Sequence, residues 1–401
     1  MQGMTMKSAR WAAIGLVITA LLAGCKGFWD LPPSTTTTTT TPTTKSSGVF
    51  YVLNQSTKQI AAYVISSGTL DNVSGSPYAL SAAPTSIAVA SDGLFLYVGT
   101  VNGIYLYTIG SGGALTIGNS GNPIATDIPA AMVVSGSWLI DAFVTAGNSP
   151  QIDAIAINPS NGAYAGPGGA APSQVFGTIT NAAIKQMVLS PDDANLFVAL
   201  GTGGTIVVPF DSANSNPLGA TATTIPLANA GGSALSVAVD PSSTPRVFYI
   251  GETAGTSGEL RVFNYSSLAT PQTLTQATGS PIASGGLAPN AILPLATGDY
   301  VYVANGQGLT SAGNIAWFPI TAAGSTYTVA AGSTIASGIQ PISLAEDSDS
   351  NFVLAVATGG STTSGDPDLE AFTMSSGALT LAVKAETGTD PVGALAVAAL
   401  P

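Results

Sequence analysis

The sequence predicts an all-β protein: a seven-bladed β-propeller of four-stranded antiparallel blades, closed by a blade shared between its N- and C-terminal strands. Three observations carry that expectation. Short runs of β-branched and aromatic residues alternate with Gly, Asn, Asp and Ser turns from residue 48 onward. The pattern recurs: one type of run begins near Pro84, Pro129, Ile184, Ala234, Pro289, Pro341 and Pro391, at intervals of 45 to 55 residues, which suits a propeller blade. The chain also enters the repeats on a second-type run and leaves them on a first-type run, so each end holds part of a blade that only the other completes.

The stretch 84–109, PTSIAVASDGLFLYVGTVNGIYLYTI, shows the unit most clearly. SIAVA, LFLYV and IYLYTI read as three strands separated by SDG and GTVNG. The runs are apolar almost throughout, as expected for strands covered on both faces. Second strands follow as Gly48–Asn54 (GVFYVLN), LFLYVGT, WLIDAFVTA, NLFVALGTG, RVFYIGETA, YVYVANGQG and FVLAVATGG. Third strands are QIAAYVI, GIYLYTI, QIDAIAI, TIVVPF, ELRVFNY, NIAWFPI and LEAFTM. Weaker fourth strands, such as GGALTIG and SGALTLAV, come after small-residue turns. Joining the ends through Val392–Ala398 and Val49–Leu53 would remove the open sheet edges that invite aggregation.

Residues 1–25 read as a lipoprotein signal peptide. Lys7 and Arg10 precede an apolar stretch too short to span comfortably, and Leu22-Ala23-Gly24-Cys25 resembles the bacterial lipobox. Cys25 is the only cysteine among 401 residues and sits where lipidation would fall. The simpler alternative is a secretory signal with an incidental Cys. No internal disulfide can form, so packing alone must hold the fold. Residues 26–47, rich in Thr and Pro, have too little apolar surface to offset the entropy of ordering and read as a disordered tether. The expected place is the cell envelope: a lipid-anchored protein of the outer membrane, periplasmic or surface-facing, with Lys26 no bar to export.

From residue 48 the chain carries five basic residues against 20 acidic ones. That balance argues against nucleic acid, whose phosphates call for basic surface. It also leaves the lipid anchor, rather than charge, as the means of membrane attachment.

The units PTSIAVASDGLFLYVGT and YVYVANGQG resemble the repeats of the YVTN and lactonase-like propeller family, a family that includes 6-phosphogluconolactonase-like proteins. So do GSPYAL (Gly75–Leu80), GNPIAT (Gly121–Thr126) and GSPIAS (Gly279–Ser284), each ahead of a first strand. The resemblance implies the fold over residues 48–401; the motifs are turns and strand cores and imply no particular catalytic residue. Members of this kind that act on lactones are thought to use polar and charged groups, often His, around a central channel. This sequence has no His, which removes Ser-His-Asp chemistry and any imidazole metal site. Carboxylates acting alone, or a calcium site of carboxylates and carbonyls, stay open.

The loops joining second to third strands are expected to share a face with those entering first strands, and they lengthen along the chain. The ligand-face candidates they offer are Glu252, Asn305, Gln307, Asp366 and Asp368. Asp366, Asp368 and Glu370 alternate, so an extended chain puts them on one side; a solvated acidic loop is the plainer reading. Glu346, Asp347 and Asp349 fall at the opposite face, where turn chemistry explains them. Arg246 and Arg261 are expected to pair with nearby carboxylates or cap strand ends rather than clamp an anionic substrate. Two functions follow: a non-catalytic envelope platform for a protein or glycan partner, with no cofactor, or a lactonase-type hydrolase. The missing His and sparse basic residues favour the platform.

Overall fold

The computed structural model describes residues 48–397 except 67, 167–170, 178, 180–181, 242–245, 267–272, 308–310, 324–325, 331, 348, 360–367 and 389–390. The signal segment with Cys25, the tether and Asp366 lie outside the described residues.

The fold is all-β and built from antiparallel sheets. Pro84–Val89, Phe95–Thr100, Gly103–Ile109 and Leu115–Ile117 form one four-stranded sheet in chain order. Ala131–Ser135, Trp138–Val144, Pro150–Ala156 and Ser173–Val175 form another, and Gln186–Leu189, Asn195–Ala199, Thr205–Pro209 and Thr223–Ile225 a third. The next consists of Ser233–Val239, Val247–Ala254, Ser257–Tyr265 and Leu274–Gln276, with the short Ile282–Ala283 added. At the ends of the chain, Val49–Asn54 pairs with Pro391–Val397, from Val49 opposite Val397 to Asn54 opposite Pro391. The pairing expected from the order of the runs is therefore present.

One departure lies between Ala288 and Ala385. The first strand expected near Pro341 instead begins at Ser333 and runs to Glu346. Its first half pairs with Ala312–Ala323 and its second half with Phe352–Gly359, fusing two four-stranded sets into one eight-stranded sheet. The stretch STIASGIQ contains β-prone Thr and Ile and no proline, so nothing ends the strand early. The change of partner falls at Gln340, whose φ is 48°, and at the bulge between Pro341 and Ser343.

The family-like elements have a structural task. Tyr78–Ala79 pairs with Gln59 and Ile60, Ala125 bridges Ile104, and Ile282–Ala283 pairs with Leu260 and Glu259. Each folds back on the third strand of its own sheet before the chain enters the next inner strand.

Second strands are buried on both faces, as their uniform apolarity requires: every residue of Val49–Asn54 and Phe95–Thr100 is buried. Alternate residues serve different cores. Val49, Tyr51 and Leu53 pack with Leu96 and Val98, while Phe50 and Val52 pack with Leu354 and Val356 on the other side. Tyrosines in these strands also tie neighbouring sheets. The Tyr51 hydroxyl donates to the Gly113 carbonyl (2.7 Å), Tyr97 to Gly162 (3.0 Å) and Tyr302 to Gly377 (2.9 Å). Gly162 has a φ of 70°, and a Cβ there would lie 2.7 Å from the Phe95 ring. That contact leaves room only for glycine.

First strands form the inner wall, and each touches the next in chain order. The series runs from Pro84–Val89 through Ala131–Ser135 and on to Ser333–Glu346, then to Pro391–Val397 and back to Pro84–Val89. A polar belt joins them: Ser86 and Thr85 donate to the Pro129 carbonyl, Ser236 to Pro289 and Asn290 to Pro341. The Val237 N–H donates to the side-chain oxygen of Gln186.

Candidate functional site

The inner strands line an open cavity of about 480 Å³. Its wall is mostly aliphatic, with Ile87, Met132, Val134, Val188, Leu189 and Ile342 among its side chains. The polar groups gather where the inner strands begin. Thr85, Lys185, Gln186 and Asn290 line that part. Thr85, Asn290 and Ile342 are the extra residues of bulges at Pro84/Ser86, Pro289/Ala291 and Pro341/Ser343, and a bulge re-aims a side chain in this way.

Lys185 is exposed and makes no ion pair among the described residues. Three other cations are engaged, the two arginines as the sequence suggested. Arg246 pairs with Asp192, Arg261 with Glu252 (2.8 Å) and Lys384 with Glu370 (3.0 Å). An unpaired ammonium on an apolar wall can orient an anion or a polarised carbonyl. Gln186 and Asn290 each use part of their amide in the belt and keep donors for a ligand.

The candidates read from the loops are placed elsewhere. Glu252 is 1% exposed: one oxygen takes the Arg261 guanidinium and the other the Ala228 N–H (2.9 Å). Asn305 is fully buried, accepting from the Ser284 hydroxyl (2.7 Å) and donating to the Ser284 carbonyl (2.8 Å). Asp368 is buried too. Its two oxygens accept the Thr387 N–H and hydroxyl, both at 2.7 Å, and burial raises its pKa. Gln307 is half-buried against the Gly286 backbone. None of these four lines the cavity.

Their common feature is register. Asn54, Thr100, Glu252 and Asn305 stand opposite Pro391, Pro84, Ala234 and Pro289, the first or second residues of inner strands. Three of them brace the approach to that strand: Glu252 holds Ala228, Asn305 holds Ser284, and Asn54 donates to the Thr387 carbonyl (2.7 Å). A polar residue beside glycine looks like the start of a loop in sequence. Here it pairs at the end of the ladder or one rung inside it. Asp347 behaves as a turn group, accepting the N–H of Asn351 and of Phe352, whereas Glu346 accepts the N–H of Ala296 in a turn of the preceding repeat.

One acidic group escaped the sequence reading. Asp141 and Asp153 stand directly opposite each other on neighbouring strands, with Asp127 close enough to raise the pKa of both. Asp141 is fully buried and neither of its oxygens has a hydrogen-bond partner. Aligning the repeats reveals it: the equivalent positions hold Val52, Val98, Val198, Ile250, Val303 and Ala355. Among the described residues no three His, Cys, Asp or Glu side chains stand together as a ready metal-ligand set.

No family model matches the chain, and no curated relative was found. Solved structures do match. A protein from Bacteroides uniformis, provisionally assigned as a 6-phosphogluconolactonase, is 16% identical with a TM-score of 0.65. The match covers 88% of this chain and 100% of that one. A similarly assigned protein from Bacteroides fragilis is 15% identical (TM-score 0.63), with 89% and 99% covered. The periplasmic gluconolactonase of Pseudomonas aeruginosa is 17% identical (TM-score 0.64), with 88% and 99% covered. At these identities the likeness is one of fold: the chain shares the β-propeller architecture of these structures.

Proposed function

We propose that the chain is a lactone-directed propeller whose site is the polar end of the channel around Lys185. The observation that carries this is an exposed, unpaired ammonium beside two amides, on the wall of a cavity of small-molecule size. The likeness to gluconolactonase structures supports a lactone as the ligand. In this reading the Lys185 ammonium and the Gln186 amide donors face the lactone carbonyl. Water attacks that carbon, the developing oxyanion draws on those donors, and the ring C–O bond breaks to leave a hydroxy acid. Without a lining carboxylate among the described residues, the gain rests on charge stabilisation, worth about 10²–10³ in rate for one donor.

The aliphatic wall favours a second reading, a platform that holds a ligand without turning it over. One experiment separates them. Ring opening of glucono-δ-lactone is followed with a pH indicator, and binding of the same lactone is measured by calorimetry. Saturable hydrolysis lost in Lys185→Met supports the enzyme. Binding without hydrolysis, also lost in that variant, supports the platform, and neither signal defeats both.

We also infer that the sheets form seven blades in a closed ring, the two chain ends completing one of them. The unbroken series of inner-strand contacts and the Val49–Val397 pairing support this. The envelope placement rests on the lipobox: Cys25 would carry the lipid, and residues 26–47 would hold the propeller off the membrane.

A further inference from the structure

We propose that Asp141 and Asp153 form a site for a divalent, oxygen-preferring cation of the calcium class, buried between two neighbouring sheets and flanked by Asp127. The register sets the geometry. Directly opposed residues of an antiparallel pair point to the same side of the sheet, with their Cβ atoms about 5 Å apart. Leu139 and Ile155 share that side by alternation, and both pack against Tyr97, Ile104 and Leu106 of the preceding sheet. The two carboxylates are therefore directed into the seam between sheets, away from the channel.

Chemistry narrows the occupant. Asp141 has both oxygens buried and unpartnered, whereas six equivalent positions carry aliphatic side chains. A carboxylate there without compensation costs several kcal/mol. Among the described residues no basic side chain pairs with any of the three acids. Asp153 keeps an oxygen free, because only its other one accepts the Gln151 amide (2.7 Å). A divalent ion balances two buried charges, and hard oxygen donors suit calcium over softer metals. The carbonyl oxygen of the Gln151 side chain is available to extend the shell, and the half-buried Asp127 adds its charge from the rim. Burial and the neighbouring acids raise the pKa of Asp141, the same unfavourable crowding seen from the proton's side.

The test uses the full chain at pH 7.5, stripped with a chelator and returned to Ca²⁺ or Mg²⁺, with melting temperature and calorimetric binding as readouts. Ca²⁺ at about 100-fold over its Kd should raise the melting temperature by about 3 °C or more. Asp141→Asn and Asp153→Asn should abolish that rise while melting no lower than the stripped wild type. Asp127→Asn, at the rim, should keep the fold and weaken Ca²⁺ binding about tenfold. It therefore decides the matter if the buried variants fail to fold. A wild type that ignores Ca²⁺, or a Ca²⁺ response that survives Asp141→Asn or Asp127→Asn unchanged, overturns the site. Stabilisation by mild acid that is lost in Asp141→Asn, without any Ca²⁺ response, would show a shared proton instead, and also overturns it.

Discussion

The Arg261 guanidinium meets the Glu252 carboxylate at 2.8 Å where both side chains are almost wholly buried, at 8% and 1% exposure. Arg261 also donates to the Pro226 carbonyl and Gln276 and lies 4.9 Å from the Phe263 ring centroid. The pair locks the segment entering the strand at Ser233. Removing one partner of a buried pair leaves the other charge uncompensated, at about 3–5 kcal/mol. Glu252→Gln should therefore lower stability by about 3 kcal/mol in denaturant unfolding. Any activity should persist in the molecules that remain folded. Full stability with lost turnover would instead make Glu252 a catalytic carboxylate.

Lys185 has the reverse profile. Replacing it by Met should leave melting within about 0.5 kcal/mol of wild type, as expected for an exposed side chain. Lactone binding or turnover should fall at least tenfold. Stopped assays on both proteins at matched folded fraction measure the difference.

The tyrosine bridges between sheets should each be worth about 1 kcal/mol, a typical buried hydrogen bond. Tyr97→Phe leaves the Gly162 carbonyl without its partner, so a loss of 1–2 kcal/mol is expected. Tyr51→Phe and Tyr97→Phe act on different seams, and the double variant should be close to additive in urea unfolding.

Acidification should stabilise the protein. Burial raises the pKa of Asp368, and burial with the nearby Asp368 charge raises that of Glu386. The folded state then holds protons more tightly than the unfolded chain, so stability is greatest below the unfolded carboxylate pKa of about 4 and falls as pH rises through the folded value. Melting temperature should climb from pH 7 toward pH 5, and Asp368→Asn should show a shallower climb.

Truncation after Asp390 removes the strand paired with Val49–Asn54. The exposed edge and lost inner wall should cause insolubility or a large drop in melting temperature. A truncated chain that melts like the full one would defeat the shared blade.

The sequence by itself determined the strands, their order and their approximate period, because a strand buried on both faces must be apolar along its length and turns must carry Gly, Asn or Asp. The pairing of Val49–Asn54 with the C-terminal strand was legible for the same reason: the runs at the two ends are complementary pieces of one repeat. The sequence also foresaw that Arg246 and Arg261 would pair with carboxylates. Only the tertiary structure decided which polar residues face the channel. Glu252 and Asn305 sit one rung inside the ladder, where local sequence cannot tell a closing bond from an open loop. Lys185 reaches the wall because it immediately precedes a short inner strand. Asp141 occupies a valine's place, and its meaning depends on Asp153 standing opposite, a relation set by strand register rather than by neighbours in the chain.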